Sequence, residues 1–575
     1  MIGLVPALVL TLTQGVDGAA YYRSQQSVES LIEAGELHEA YTRLHALNAA
    51  YGLNPDQWEQ QARLATALEQ WPDAIAAYDR ALSLGVRNPA RTHYRMAEAY
   101  LRSGNDEAAI ASLRLAVDAG LAARFAIFND DAFASLRDDP EFRAIAGLAS
   151  GPIEDRLQRW SNDLDFLVSE ARRLHASPDR PADTPNFLDA VQLLEGRIAD
   201  LSDDEVFMEI QRLLVMLGDG HTYATGQVGE HAVNPISPES RALPLVFRTF
   251  SDDIYVTAAT GDGTDLIGGR VTAFGGIPIE EFIERARTYI HRDNAESWKF
   301  LGAHFGFRFL SLHQAIGSAE QGVVRVAVEL PTGETRERTL QAGPFYDFER
   351  KLRPMPGQTE VPHFLQTVDR LYGGEVLLER GIYYAQINNM RNDATESFSE
   401  FTVRSVDEAL ASGTGELVID LRLNNGGNNH LCRSLVRQLV RFELAEPGNR
   451  VWVITRHETF SAAQNCVNRI EAMTNAVFVG EPSSSSPNFT GEEAEVMLPY
   501  SGLILSISNR YWQDAGPTDD RPWIAPDLPV VMTFDAYANG RDPALEAISE
   551  IVLHGGRPTR FDRRAGDTDL AVSIR

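Results

Sequence analysis

Two short stretches of this sequence hold residues able to carry out acyl-transfer chemistry. The first, Leu421–Asn429 (LRLNNGGNN), follows the strand-like run Glu416–Asp420 and leads into a helix-like run. Two successive glycines let the backbone come close to a ligand, with unpaired N–H groups at the helix start pointing outward. Such a loop suits a phosphate or an oxyanion. A phosphate-binding loop would carry GxxxxGK[ST], and this stretch has no lysine, which sets nucleotide binding aside. The second stretch, Arg456–Asn465 (RHETFSAAQN), follows the strand-like run Val451–Thr455 and puts Ser461 at a helix N-terminus beside the N–H of Ala462. Taken alone, that is the place of an N-cap serine, worth about 1 kcal/mol. Neighbouring strands of a layered α/β sheet would bring both loops to one edge. The Ser461 hydroxyl would then face an oxyanion site built from the N–H groups of Gly426 and Ala462, two of the three parts acyl transfer needs.

The third part is a base. Lysine occurs only at Lys299 and Lys351, so none follows the glycine loop and a Ser-Lys dyad is excluded. Among the 13 histidines, His221 stands out by context. It ends a helical run in Met216–Thr222 (MLGDGHT), where a loop residue can project into a cleft. His430 and His457 are alternatives within the two loops themselves, and His457 lies only four residues before Ser461.

These residues need a scaffold, and the chain is long enough for about three or four domains. Residues Ile2–Thr13 are apolar but too short to span a bilayer, and small residues suited to signal-peptidase cleavage follow at Gly18–Ala20. Residues 1–20 are therefore expected to be a signal peptide, giving a periplasmic or secreted protein. Residues 23–148 read as helical repeats. Gly35–Ala40 (GELHEA), Glu69–Ala74 (EQWPDA) and Gly104–Ala109 (GNDEAA) match, and their alanines recur at spacings of 34 and 35. That is the period of tetratricopeptide helix pairs, which form a solenoid with a concave face for a protein partner or act as a structural cap. Gly151–Pro152 marks a boundary. Residues 153–238 are expected to be helical and to carry the histidine motif. Residues 239–343 alternate as short strands with one or two helices, weakly resembling a PDZ-like domain. Residues 344–557 alternate strand and helix, as an α/β layer does, and 558–575 read as a loose tail.

Composition narrows the partners. At 44% hydrophobic and 23% charged residues the chain reads as globular, and its formal net charge of −29 repels nucleic acid and anionic lipid. No later segment reaches transmembrane length, so no membrane span is expected in the mature chain. The two cysteines, Cys432 and Cys466, have no metal-ligand spacing and read as buried free thiols that would pair only in an oxidising compartment. No metal and no cofactor is expected.

In order, Asp219–Thr222 (DGHT), the β-rich unit, Asp420–Gly427 (DLRLNNGG) and Phe460–Asn465 (FSAAQN) resemble the C-terminal-processing (tail-specific) serine proteases, in their tricorn-like branch. The resemblance runs from about Leu157 to Val552. It implies a multidomain protein with a ClpP/crotonase-like α/β core, hydrolysing peptide bonds in peptides or protein C-terminal regions. By this resemblance Ser461 is the nucleophile, His221 the general base, Gly426 and Ala462 the oxyanion donors, and Asp520, with Asp519 beside it, the acid that orients the base. The branch often has a serine before the histidine. Gly220 stands there in this chain, so one orienting hydroxyl is missing. A catalytically silent relative that binds ligands or partners is the alternative reading.

Overall fold

The computed structural model describes residues 18–122, 124–149, 151, 153–225, 227–228, 231–232, 241–344, 355 and 358–556. The expected tail lies outside them, as does the expected signal peptide apart from Gly18–Ala20, which open the first helix. The chain forms two compact units, Met1–Ile153 and Glu154–Arg575.

In the first unit, helices α1 (Gly18–Glu33), α2 (Leu37–Tyr51), α3 (Pro55–Ala67), α4 (Trp71–Ser83), α5 (Pro89–Arg102) and α6 (Asp106–Asp118) follow one another through short turns. The recurring alanines Ala40, Ala74 and Ala109 occupy the first turns of α2, α4 and α6 and are fully buried. Only a methyl group fits where consecutive helices approach so closely. The turn before each of these helices needs a left-handed residue. Gly35 and Gly104 supply it at φ +79° and +81°, but Glu69 holds the middle position at φ +57°. A side chain there costs on the order of 1 kcal/mol. Glu69→Gly is therefore expected to stabilise this unit by roughly 0.5–1 kcal/mol, read as a rise of a few degrees in its melting transition.

The second unit opens with α7 (Arg156–Leu174), α8 (Pro185–Glu195) and α9 (Asp203–Val215), then a short strand β1 (Tyr223–Thr225). An antiparallel sheet follows, built from β2 (Leu245–Phe250), β3 (Asp253–Ala259), β4 (Arg270–Phe274), β5 (Val323–Glu329) and β6 (Thr335–Gln341) in the spatial order β6-β5-β4-β3-β2, with helices α10 (Ile279–Ala286) and α11 (Leu310–Ile316) between β4 and β5 in the chain.

The remaining residues form a layered core. Strands β7 (Tyr372–Leu377), β8 (Ile382–Ile387), β9 (Glu416–Asp420), β10 (Arg450–Thr455) and β11 (Val477–Gly480) lie side by side in chain order, and Leu528–Pro529 closes the edge. All neighbours after the β7–β8 pair are parallel. A parallel sheet is covered on both faces, which is why these strands read as unbroken apolar runs. Alternation along β9 and β10 sends Leu417, Ile419, Val451 and Val453 to one face. There they meet residues of α12 (Phe398–Ser412), α13 (Cys432–Ala445) and α14 (Ala462–Met473). Val418, Trp452 and Ile454 go to the other face, under Leu545 and Ile548 of α15 (Pro543–Leu553).

Two features depart from expectation. Cys432 and Cys466 are not free thiols: they form a disulfide, with their Cα atoms 5.5 Å apart. Both helices that carry them cover the same face of the sheet, so residues distant in sequence become neighbours near the N-terminal ends of these helices. The second feature is a long hairpin, β12 (Asn488–Met497) and β13 (Ile504–Gln513), not marked in the sequence reading. Strand β1 adds to β13 with Tyr223 opposite Ser506, forming a separate three-stranded sheet.

Candidate active site

Parallel pairing of β9 and β10, with Asp420 opposite Ile454, delivers the glycine loop and the serine loop to one edge. The two loops are stitched together directly. The N–H of Leu421 donates to the Ile454 carbonyl at 2.9 Å, that of Phe460 to the Asn424 carbonyl at 3.0 Å, and the Thr459 hydroxyl to the Leu421 carbonyl at 2.8 Å. The base of the glycine loop is fixed by Arg422. Its guanidinium donates to Asp420 and to both oxygens of Asp542, and it lies over the Phe364 ring at 4.1 Å. All three charged residues are buried, so this network is costly to break.

Ser461 occupies the N-cap position of α14, but its hydroxyl makes no capping bond. The backbone at Ser461 has φ +54° and ψ −123°, a strained conformation for a residue with a side chain. The hydroxyl instead meets Nε2 of His221 at 2.9 Å, across 240 residues of sequence. Of the two other histidines considered, His430 is exposed, and His457 is buried with Nε2 3.1 Å from the Thr249 hydroxyl.

His221 lies in the turn between α9 and β1, held on several sides. Its N–H donates to Asp219 Oδ1 at 2.7 Å, and its carbonyl accepts from the Ser506 hydroxyl at 3.1 Å. Asp219 is itself fixed by the Ser508 hydroxyl at 2.6 Å and by His175 Nε2 at 2.8 Å. The imidazole is sandwiched between Phe460, at 4.7 Å between ring centres, and Phe489, at 5.7 Å, both nearly parallel to it. Burial between these rings disfavours the charged imidazolium and lowers the His221 pKa to about 4, although the Asp219 charge pulls the other way. The neutral, proton-accepting form therefore prevails at neutral pH. Nδ1 is buried without a hydrogen-bond partner among the described residues.

Gly426 lies against the serine. A Cβ there would fall 2.8 Å from Ser461 Cβ and 3.1 Å from the Ala462 nitrogen, and φ is +116°. The structure thus brings Ser461, His221, Gly426 and Ala462 together. The Gly426 N–H donates to Asn424 Oδ1 at 3.0 Å, so this expected oxyanion donor is engaged by its own loop. Ala462 is the first residue of α14, a position whose N–H has no intrahelical acceptor.

Asp520 is not part of this cluster among the described contacts. It is exposed, and no hydrogen bond or ion pair joins it to His221. Asp519 pairs with Arg521 through contacts of 2.7 and 2.9 Å. Phe489 and Gly491, which line His221, belong to the hairpin that sequence reasoning missed. The pairing of β13 with β1 is the long-range feature that brings this hairpin there.

Gly220 has a steric reason. A Cβ at this position would lie 2.8 Å from Phe460 Cζ and 2.9 Å from Asp293 Oδ1. There is no room for the hydroxyl-bearing side chain that the resemblance leads one to expect. Gly220→Ser is expected to push Phe460 off the imidazole and lower the reactivity of Ser461 by about ten-fold or more, measured as a labelling rate with a serine-directed reagent.

No protein-family model and no curated protein matches this sequence. Among solved structures, that of mature CPAF is 13% identical with a TM-score of 0.50, covering 70% of this chain and 99% of that one. A mutant CPAF is 12% identical with a TM-score of 0.51, covering 70% of this chain and 99% of that one. Mature CPAF complexed with lactacystin gives 13% identity and a TM-score of 0.50, over 69% and 98%. The likeness is one of fold.

Proposed function

We propose that this protein is a serine peptidase of the tail-specific, tricorn-like kind, with Ser461 as nucleophile and His221 as general base. The observation that carries the reading is the 2.9 Å hydrogen bond from a strained, non-capping serine to a neutral, buried histidine. A serine that only capped its helix would turn its hydroxyl to its own backbone. In the proposed reaction His221 Nε2 takes the hydroxyl proton as Ser461 Oγ attacks the peptide carbonyl. The same proton then passes to the leaving amine. The N–H of Ala462 would stabilise the oxyanion, joined by that of Gly426 when substrate displaces the Asn424 side chain. The tetratricopeptide-like repeats would hold a protein partner, and the PDZ-like sheet would bind a chain end by strand addition. Export to the periplasm or outside the cell fits the buried disulfide, because such bonds persist in oxidising compartments.

A second reading, a ligand- or partner-binding protein without catalysis, is favoured by the engagement of the Gly426 amide with Asn424. A fluorophosphonate probe separates the two. Labelling of the wild-type protein that disappears in Ser461→Ala and in His221→Ala, with folding intact, is the expected result. An unlabelled wild type, or labelling that survives Ser461→Ala, would favour the binding protein.

A further inference from the structure

The segment between α10 (Ile279–Ala286) and the sequence around Trp298 lies between the two halves of the candidate site. Its backbone reaches the histidine turn through the Arg292 N–H, which donates to the Asp219 carbonyl at 3.1 Å. Its side chains reach the loop after β11. Asn294 Nδ2 donates to the Ser483 carbonyl at 3.1 Å and to the Pro522 carbonyl at 2.7 Å, and the Ser297 hydroxyl donates to the Ser484 carbonyl at 2.9 Å. At the centre of this clamp is Asp293. Its Oδ1 accepts the Gly220 N–H at 2.6 Å, one residue before the base. Ser485 faces the same carboxyl and favours its ionised form, and Ser485 Oγ accepts the N–H of Ser461 at 3.2 Å, while Asp293 Oδ2 is buried without a hydrogen-bond partner among the described residues. One carboxylate thus holds the turn before His221 and faces the serine that accepts the Ser461 N–H.

We infer that Asp293 is a positioning residue of this site, whose ionised carboxylate sets the spacing between His221 and Ser461. The inference rests on the proposed function. Protonation would reverse the contact with Ser485. A carboxylate accepts from that hydroxyl, whereas a carboxylic acid donates to Ser485 Oγ, which already accepts from the Ser461 N–H. Burial and the Asp219 charge raise the Asp293 pKa to about 7, against the pull of the Ser485 hydroxyl and the Gly220 N–H. The other titratable groups around it are His175, bound to Asp219, together with His221 and His291, both lowered to about 4 by burial. Arg292 turns its guanidinium to the carbonyls of Arg287 and Ile290. Asp293 is thus a carboxyl of this cluster whose charge changes in the window around neutrality.

Asn at this position copies the protonated acid: its Oδ1 can keep the Gly220 N–H and its amide donates to Ser485. The test is the rate of fluorophosphonate labelling against pH, in the full chain, for wild type, Asp293→Asn and Ser485→Ala, with thermal melting of each. Wild-type labelling should rise through a limb near pH 7. Asp293→Asn should lack that limb, react about ten- to a hundred-fold more slowly at pH 8.5, and match the wild type below pH 6. Ser485→Ala removes a donor to the carboxylate and should move the limb to higher pH, which keeps the inference testable if the Asn variant fails to fold. A limb unmoved in either folded variant overturns the role of Asp293 while leaving the proposed function standing. A wild type that does not label at all overturns the proposed function and this inference with it.

Discussion

On the proposed function, Ser461→Ala is expected to lower kcat for peptide hydrolysis by roughly four to six orders of magnitude, and His221→Ala to do nearly the same. Both effects are expected from geometry. At 2.9 Å the imidazole is the group in contact with the hydroxyl, and no lysine follows Lys351 to replace it. The double variant is expected to be no slower than either single one, because a nucleophile without its base and a base without its nucleophile fail at the same step. The control is Asp520→Asn. Asp520 is exposed and makes no described contact with His221, so less than about ten-fold should be lost. A loss of a thousand-fold or more in that variant would show that Asp520 reaches the imidazole when substrate is bound. Steady-state kinetics on a peptide substrate, with circular dichroism to confirm folding, reads all four proteins.

Gly426→Ala is expected to cost the second-largest factor, about a hundred- to a thousand-fold in kcat/KM. Three causes act together. The backbone at φ +116° is outside the range that a residue with a side chain adopts without strain. The new methyl would fall 2.8 Å from Ser461 Cβ and 3.2 Å from its Oγ, so the nucleophile must move. Displacement by a few tenths of an ångström also weakens the hydrogen bond to His221 and disturbs the adjacent Ala462 nitrogen. The loop itself should persist, because Arg422, Asp420 and Asp542 hold its base from the opposite side. Loss of activity with a melting temperature lowered by only a few degrees would fit this account. Unchanged kinetics would show that the site accommodates the methyl and that close approach of Gly426 is not needed.

Local chemistry fixed a good part of this protein in advance. Val451–Thr455 reads as a buried strand because it is an unbroken apolar run, and parallel strands covered on both faces need that pattern. Ser461 and the Gly426–Gly427 pair were legible because a serine or a glycine pair just after such a strand is itself a local signal. The repeat of Ala40, Ala74 and Ala109 was legible for the same reason: equivalent positions in stacked helices demand the same small residue. Among the 13 histidines His221 stands out by its place at the end of a helical run, but its meeting with Ser461 across 240 residues belongs to the tertiary structure.

Other features could be decided only by packing. The cysteines pair because two helices cover one sheet face, a neighbourhood that neither helix-like run announces. Gly220 is small because Phe460 and Asp293 arrive from elsewhere in the chain to fill its space. Phe489 flanks the imidazole because β13 pairs with β1, and strand partners far apart in sequence leave no mark in either strand alone. Asp293 sits in a stretch with no periodicity or motif, and it gains a role only where two loops converge on it. Periodicity and turn chemistry are properties of neighbours along the chain, so the sequence determines them by itself. Side-chain partnerships across hundreds of residues depend on how closely the elements pack, and only the folded molecule decides them.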